Sequence, residues 1–127
     1  MTLKLRWLQM WGRCQIFPFG VRDRLIRLLH PVGRDHAFEI PFFGRIYQGN
    51  TRSYLDWTVF FYGAYELPFL MLTKQILGRT ANPVVLDIGA NVGHHTLFMS
   101  AYAAQIHAFE PFPAFCKSIA EKISLNI

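Results

Sequence analysis

A short stretch in the last third of the chain restricts the possible folds more than any other. Residues 84–88 read Val-Val-Leu-Asp-Ile, and a turn containing Gly89 and Gly93 follows at once. His94 then begins an apolar run typical of a helix. Glycine permits turn geometries that are closed to other residues and leaves no side chain in a ligand's way. The sequence therefore predicts an α/β fold with a small-ligand site at this turn.

A second predicted strand covers residues 105–110 and ends in Glu110. The first predicted strand likewise carries an acid, Asp87, close to its end. The carboxyl ends of adjacent parallel strands meet at one edge of a sheet, so both acids are expected there. A carboxylate at a strand tip can accept hydrogen bonds from the two hydroxyls of a ribose. Asp87 would repel a pyrophosphate but attract an ammonium group. This pattern favours S-adenosylmethionine over a dinucleotide, and neither the G-x-G-x-x-G nor the P-loop spacing is present.

Two motifs carry a resemblance to a known family. Residues 87–93 read Asp-Ile-Gly-Ala-Asn-Val-Gly, and residues 108–111 read Ala-Phe-Glu-Pro. This combination resembles the FkbM family of S-adenosylmethionine-dependent methyltransferases. Residues 63–66, Gly-Ala-Tyr-Glu, look like a G-x-Y-E element that often precedes the motif in that family, and Leu-Asn at 125–126 looks like its usual helix ending. The resemblance covers about positions 60–126.

The candidate cofactor-binding residues have structural alternatives. Asp87 can instead cap nearby backbone N–H groups, and Glu110 can be an exposed acid at a strand end. Asn91 can simply tolerate a left-handed turn conformation. Phe112 can stack on adenine or fill the core, and Glu66 can face the cofactor's amino-acid end or favour a helix start. The complete candidate set is Asp87, Gly89, Ala90, Asn91, Gly93, Glu110, Glu66 and Phe112.

The resemblance implies the fold and the reaction. The fold is an incomplete Rossmann-like class I methyltransferase core, with its first two strand–helix units, preceded by a mainly helical N-terminal region. The reaction is methyl transfer to a hydroxyl of a sugar or secondary metabolite, in which alignment and desolvation supply most of the rate. The acceptor site of this fold is built from later segments, so no catalytic residue is assigned.

The chain is short for such an enzyme at 127 residues, and we expect it to be the N-terminal part of a methyltransferase. Strands without a second neighbour would leave open edges that favour self-association. The alternatives are a non-catalytic remnant or cofactor-binding module, and a dinucleotide-binding oxidoreductase. Binding of the cofactor separates the first two, and binding of NAD identifies the third.

The histidines and cysteines do not predict a metal site. His94 and His95 stand where the family often has aromatic or small residues, and adjacent helical side chains point about 100° apart. They cannot easily share one ion, whereas His95 or Thr96 can lie near the cofactor's carboxylate. Cys14 and Cys116 have no C-x-x-C spacing, which favours free thiols in a reducing cytoplasm.

Basic residues concentrate near the N-terminus, where only Asp23 and Asp35 oppose them. A basic helix carrying Trp7 and Trp11 can lie on an anionic membrane surface; the alternative is a helix with a solvated basic face. No nucleic-acid-binding module accompanies the charge, and no secretory signal is evident, although an organellar targeting peptide is a further option. We expect a cytoplasmic protein, with peripheral membrane contact as the alternative. The basic residues are Lys4, Arg6, Arg13, Arg22, Arg24, Arg27 and Arg34.

Local signals predict the remaining elements and the domain boundary. Ser53 is suited to cap a helix, Gly78 to end one, and Pro113 to begin one. The β-rich stretch 36–48, with Gly49-Asn50 as a turn signal, predicts a β-hairpin in the N-terminal region. The predicted helices are 3–14, 21–30, 53–62 and 66–77; a linker at 78–83 separates an N-terminal region, 1–78, from the cofactor domain, 84–127.

Overall fold

Six α-helices and two small β-sheets follow one another along residues 2–126, the part of the chain that the computed structural model describes. The fold is therefore mixed α/β. The helices and strands predicted from the sequence are confirmed, with ends that differ by one or two residues. In chain order the elements are α1 (Leu3–Arg13), α2 (Phe19–Leu29), β1 (Ala37–Phe42), β2 (Arg45–Asn50), α3 (Tyr54–Tyr62), α4 (Leu67–Leu77), β3 (Val84–Ile88), α5 (His94–Met99), β4 (Gln105–Phe109) and α6 (Pro113–Ser124).

None of these helices has the length and apolar character that crossing a bilayer would require, within residues 2–126. The longest, α6, has 12 residues, whereas a spanning helix needs about 20.

The chain divides into two compact units whose bounds differ from the predicted domains. The first unit contains residues up to 40 together with 49–65, and the second contains 41–48 together with 66–126. The segment 66–77 was predicted to belong to the N-terminal region, but α4 packs on α5 and is part of the second unit. The linker after Gly78 therefore joins two elements of the same unit.

The core of the first unit is aromatic and is centred on α3. Ser53 caps this helix, as predicted, because its hydroxyl accepts a hydrogen bond from the Asp56 N–H at 3.4 Å. The buried Asp56 carboxylate in turn accepts the Asn50 N–H at 3.0 Å. The Trp57 indole N–H donates to the His30 carbonyl at 2.9 Å, so the largest core side chain has a partner for its one polar atom. The other fully buried side chains of this core are Leu8, Ile26, Thr51, Val59, Phe60 and Phe61.

The predicted β-hairpin is present as β1 and β2, but its turn lies at Phe43-Gly44, not at Gly49-Asn50 as predicted. Both turn residues have positive φ, 48° at Phe43 and 82° at Gly44. Two left-handed residues in a two-residue loop match the twist of paired antiparallel strands. Gly49 and Asn50 are the last residues of β2 instead. Composition favoured the Gly-Asn pair because a phenylalanine in a left-handed conformation is uncommon.

The second unit is built on a parallel strand pair with α5 between its strands in the sequence. β3 and β4 pair in register, from Val84 opposite Gln105 to Ile88 opposite Phe109, and α5 packs against both strands. Phe42 closes the core of this unit by packing its ring on the buried His94 at 5.1 Å. The other face of the sheet is open to solvent: the exposed fraction of Ile88 is 81%.

Candidate cofactor site at the ends of β3 and β4

The strand register places the two predicted acids at the same edge of the sheet. Asp87 is opposite Ala108, and Ile88 is opposite Phe109, which directly precedes Glu110. The chain leaves the sheet after Ile88 and after Phe109. The prediction that both acids lie where two adjacent parallel strands end is therefore confirmed.

The turn after β3 is tight and left-handed. The φ angles of Gly89, Asn91 and Gly93 are 80°, 52° and 79°. A side chain at Gly93 would also be obstructed, because a Cβ there would lie 3.0 Å from Cγ1 of Ile119 in α6. At Gly89 a Cβ would have no atom within 4 Å. Gly93 thus brings the turn close to α6, whereas Gly89 faces open space.

Backbone hydrogen bonds attach this turn to β4. The N–H groups of Gly89 and Ala90 both donate to the Phe109 carbonyl, at 2.9 and 3.1 Å. These two N–H groups thus stabilise the turn and are not available to a ligand, and Ala90 is buried. The following helix, α5, has only six residues, so we assign no anion to its N-terminus.

Glu110 shapes the turn through both of its carboxylate oxygens. Oε2 accepts the Asn91 N–H at 2.8 Å, and Oε1 accepts the Phe112 N–H at 3.0 Å. The carboxylate is half-buried rather than a fully exposed strand-end acid. Each oxygen keeps a second lone pair, so the group can still accept from a hydroxyl. Nothing in the sequence alone indicated this link between the two strand ends.

Asp87 is oriented by a residue of α5. The Thr96 hydroxyl donates to Oδ2 of Asp87 at 2.5 Å. Oδ1 of Asp87 makes no hydrogen bond within residues 2–126, and its side chain is only part-buried. Asp87 is thus not a cap for local backbone N–H groups, which was the structural alternative. One of its oxygens is positioned by Thr96, and the other can accept from a ligand.

Glu66 and Phe112 lie on exposed parts of the second unit. Glu66 precedes α4 with a φ of 51°, and its Oε2 is 3.4 Å from Nε2 of His95, close enough for an ion pair when the imidazole is protonated. The His95 ring packs edge-on against Phe69 at 5.1 Å. Phe112 is 63% exposed, so the alternative in which it fills the core is wrong. The structure thus places Glu66 beside His95 and links Glu110 to Asn91 and Phe112.

A cavity of about 260 Å³ lies on the α6 side of β4, and its walls are mainly apolar. It includes Glu110 and Thr96 but none of the other predicted cofactor residues. The cavity is lined by Thr96, Ile106, Glu110, Cys116, Ile119 and Ile123, among others.

Within the described part of the chain, no three His, Cys, Asp or Glu side chains are grouped to hold a metal ion.

No protein-family model, curated protein or solved structure matches the chain. The likeness to the FkbM family therefore remains one of short motifs at 87–93 and 108–111. The function has to be inferred from the chemistry of the side chains that surround the ends of β3 and β4.

Proposed function

We propose that this chain is the cofactor-binding part of an S-adenosylmethionine-dependent methyltransferase of the Rossmann-like class, resembling the FkbM family. The observation that supports it most is the in-register parallel pairing of β3 with β4. This pairing places Asp87 and Glu110 on either side of an open, left-handed turn. The acceptor would be a hydroxyl of a sugar or another metabolite, as the resemblance implies.

The chemistry of these side chains fits the polar groups of the cofactor. Oδ1 of Asp87 can accept from the ammonium group, while Thr96 keeps the other oxygen in place. Glu110 can accept from a ribose hydroxyl with the lone pairs that Asn91 and Phe112 leave unused. The exposed ring of Phe112 offers a face on which adenine can stack. Open space over Gly89 leaves room for the ligand backbone to approach.

S-adenosylmethionine supplies an activated methyl group, so the residues of this chain would bind and orient rather than form covalent bonds. Asp87 and Glu110 would fix the two ends of the ligand against the sheet edge. No group among residues 2–126 is assigned as a base for the acceptor hydroxyl.

One observation favours a second candidate, a non-catalytic remnant. Both oxygens of Glu110 already accept backbone N–H groups, and this arrangement would stabilise the turn without any ligand. In that case the acids at the strand ends are structural, and a folded chain binds no cofactor. A dinucleotide-binding oxidoreductase is the third candidate, and it requires NAD to bind where S-adenosylmethionine does not.

Calorimetric titration of the full chain with S-adenosylmethionine, S-adenosylhomocysteine and NAD distinguishes the three. We expect saturable binding of the first two ligands and none of NAD. Asp87→Asn keeps the size of the side chain and an acceptor for Thr96 but removes the charge. Loss of a charge-assisted hydrogen bond of about 1.5–3 kcal/mol should weaken binding by about 10- to 100-fold.

Glu121→Gln is the matched control, because Glu121 is an exposed acid of α6 that pairs with Lys117 at 3.9 Å, and no candidate residue contacts it. It removes the same charge from the same unit and should leave the affinity unchanged. Circular dichroism of each variant checks that it is folded. A folded chain that binds neither S-adenosylmethionine nor S-adenosylhomocysteine would refute the proposal, as would equal weakening by Asp87→Asn and Glu121→Gln.

A further inference from the structure

The first unit contains a small cavity whose walls are strongly basic. Its volume is about 210 Å³, and it lies where the start of α1 meets the loop after α2. Lys4, His30, Arg34 and His36 contribute four groups that are cationic or become so on protonation. Among residues 2–126, neither Lys4 nor Arg34 forms an ion pair with a carboxylate. Positive charge is thus concentrated here without a partner from the described chain.

The one acid in the wall does not neutralise this charge. Oδ2 of Asp35 is 2.8 Å from Nη2 of Arg52, and Oδ1 accepts from the Asn50 amide at 2.8 Å. Asp35 is therefore occupied by residues that do not line the cavity. The balance of charge at the cavity remains positive.

Thr51 fixes the loop that carries these residues. Its hydroxyl donates to the Arg34 carbonyl, which leaves the oxygen to accept from Nε2–H of His30 at 3.1 Å. Its backbone N–H donates to the His36 carbonyl at 3.1 Å, and its carbonyl accepts the Gly33 N–H at 3.3 Å. Thr51 is fully buried. The spacing of His30, Arg34 and His36 is therefore set by the fold rather than by chance on a loose loop.

Two further observations indicate a positive potential in this cavity. The first turn of α1 carries no acidic residue, and the Thr2 side chain does not cap it, so its positive end adds to the field of Lys4. Burial first, and then the charges of Arg34, His36 and Lys4, lower the pKa of His30. Burial is the larger cause, and the three neighbouring charges act in the same direction, as a positive potential does.

We propose that this cavity binds a phosphate group, either free or as a phosphomonoester, through Lys4, Arg34 and His36. A phosphate dianion offers acceptors to the ammonium and the guanidinium at once, and Arg is suited to bind two of its oxygens. The volume is larger than one phosphate needs, which leaves room for the first atoms of an attached group. This site belongs to the first unit and is independent of the cofactor proposal for β3 and β4.

The test is calorimetric titration of the full chain with inorganic phosphate, against sodium chloride of equal ionic strength. Saturable binding is expected with phosphate alone. Lys4→Gln and Arg34→Gln should each weaken it by about tenfold, as loss of a charge-assisted contact does. Arg24→Gln is the control, since Arg24 is an exposed cation of the same unit outside this cavity. It should leave the affinity unchanged.

A second readout avoids the question of whether a variant is folded. In the unaltered chain, bound phosphate should shift the ring NMR signals of His30 and His36, which line the cavity, and should leave those of the exposed His107 in place. Co-sedimentation with vesicles separates the sources of the group. A preference for phosphatidic acid over phosphatidylglycerol identifies a lipid headgroup, and no preference together with phosphate binding identifies a soluble ligand. Absence of both saturable phosphate binding and lipid preference overturns the proposal, as does equal weakening by Arg24→Gln and Arg34→Gln.

Discussion

The two glycines that begin and end the turn after β3 should respond very differently to the same substitution. Gly89 and Gly93 have nearly identical φ angles, 80° and 79°. Placing alanine in this left-handed conformation destabilises the folded chain by about 1–2 kcal/mol at either position. Alanine also lowers the conformational entropy of the unfolded chain, which stabilises the folded state by about 0.4–1 kcal/mol at both positions. These contributions cancel when the two variants are compared. The comparison therefore isolates what each new methyl group meets in the folded state.

At Gly89 the methyl group meets nothing within 4 Å, so Gly89→Ala should lower the free energy of unfolding by only about 0–1.6 kcal/mol. At Gly93 it would lie 3.0 Å from Cγ1 of Ile119 and 3.5 Å from its Cα. The distance to Cα is an ordinary contact, but the distance to Cγ1 is too short, so the buried Ile119 side chain has to shift by a few tenths of an ångström within a packed environment. Overpacking of this kind costs about 1–3 kcal/mol, which brings the total for Gly93→Ala to about 1–4.6 kcal/mol.

Urea unfolding followed by far-ultraviolet circular dichroism measures both variants. The difference is meaningful when the dependence on urea is the same for both, because the exposed surface has then not changed. Gly93→Ala should lose about 1–3 kcal/mol more than Gly89→Ala. Equal losses would show that α6 does not pack on the turn as described. Gly89→Ala should in turn weaken binding of S-adenosylhomocysteine more than its small loss of stability explains, since its methyl group occupies the open space proposed for the ligand.

Two further predictions concern acid stability and association. Burial lowers the pKa of His30 below its ordinary value of 6.5, so the unfolded chain takes up this proton at higher pH than the folded chain does. The contribution of His30 to the free energy of unfolding should therefore be complete above about pH 6.5 and should be lost as the pH falls towards the folded pKa. Urea unfolding measured from pH 7.5 to 5 should show this loss of stability, and His30→Gln should reduce it. An equal loss in His30→Gln would exclude His30 as the cause. The exposed face of the β3–β4 sheet should drive concentration-dependent association of the chain, which sedimentation velocity measures. Ile88→Lys, at a position 81% exposed, should reduce this association, whereas Glu39→Lys, at an exposed site of β1, should not. Association that persists unchanged in Ile88→Lys would show that another surface causes it.

Local signals predicted those elements whose ends depend on neighbouring residues alone. Residues 84–88 form a strand because an apolar run is followed by glycine, and Ser53 starts a helix because its side chain reaches an N–H three residues later. The turn at Phe43-Gly44 was missed because the left-handed phenylalanine there is set by strand pairing and not by local preference. The grouping of α4 with the second unit was likewise missed, since it depends on packing against α5.

The candidate site was predictable in position but not in detail. Acids at the ends of two parallel strands must lie near one edge, and the register confirms this for Asp87. The partners of each acid depend on distances that spacing does not reveal. Glu110 accepts from a residue 19 positions earlier, and the N–H groups of Gly89 and Ala90 turn towards β4. Hydrogen bonds between separate segments decide which donors remain available to a ligand.

The hairpin of β1 and β2 contributes residues to both units, and this has a consequence for any attempt to separate the units by cleaving the chain. The polypeptide passes from one unit to the other after residues 40, 48 and 65, so no single cleavage separates the two units. A protease that cuts at 79–83 would release neither, because α4 and β3 belong to the same unit. Expression of residues 66–126 alone would discard Phe42 and Phe43, whose rings pack on His94 and Phe98 at 5.1 and 4.9 Å. The second unit is thus not a segment that can be excised.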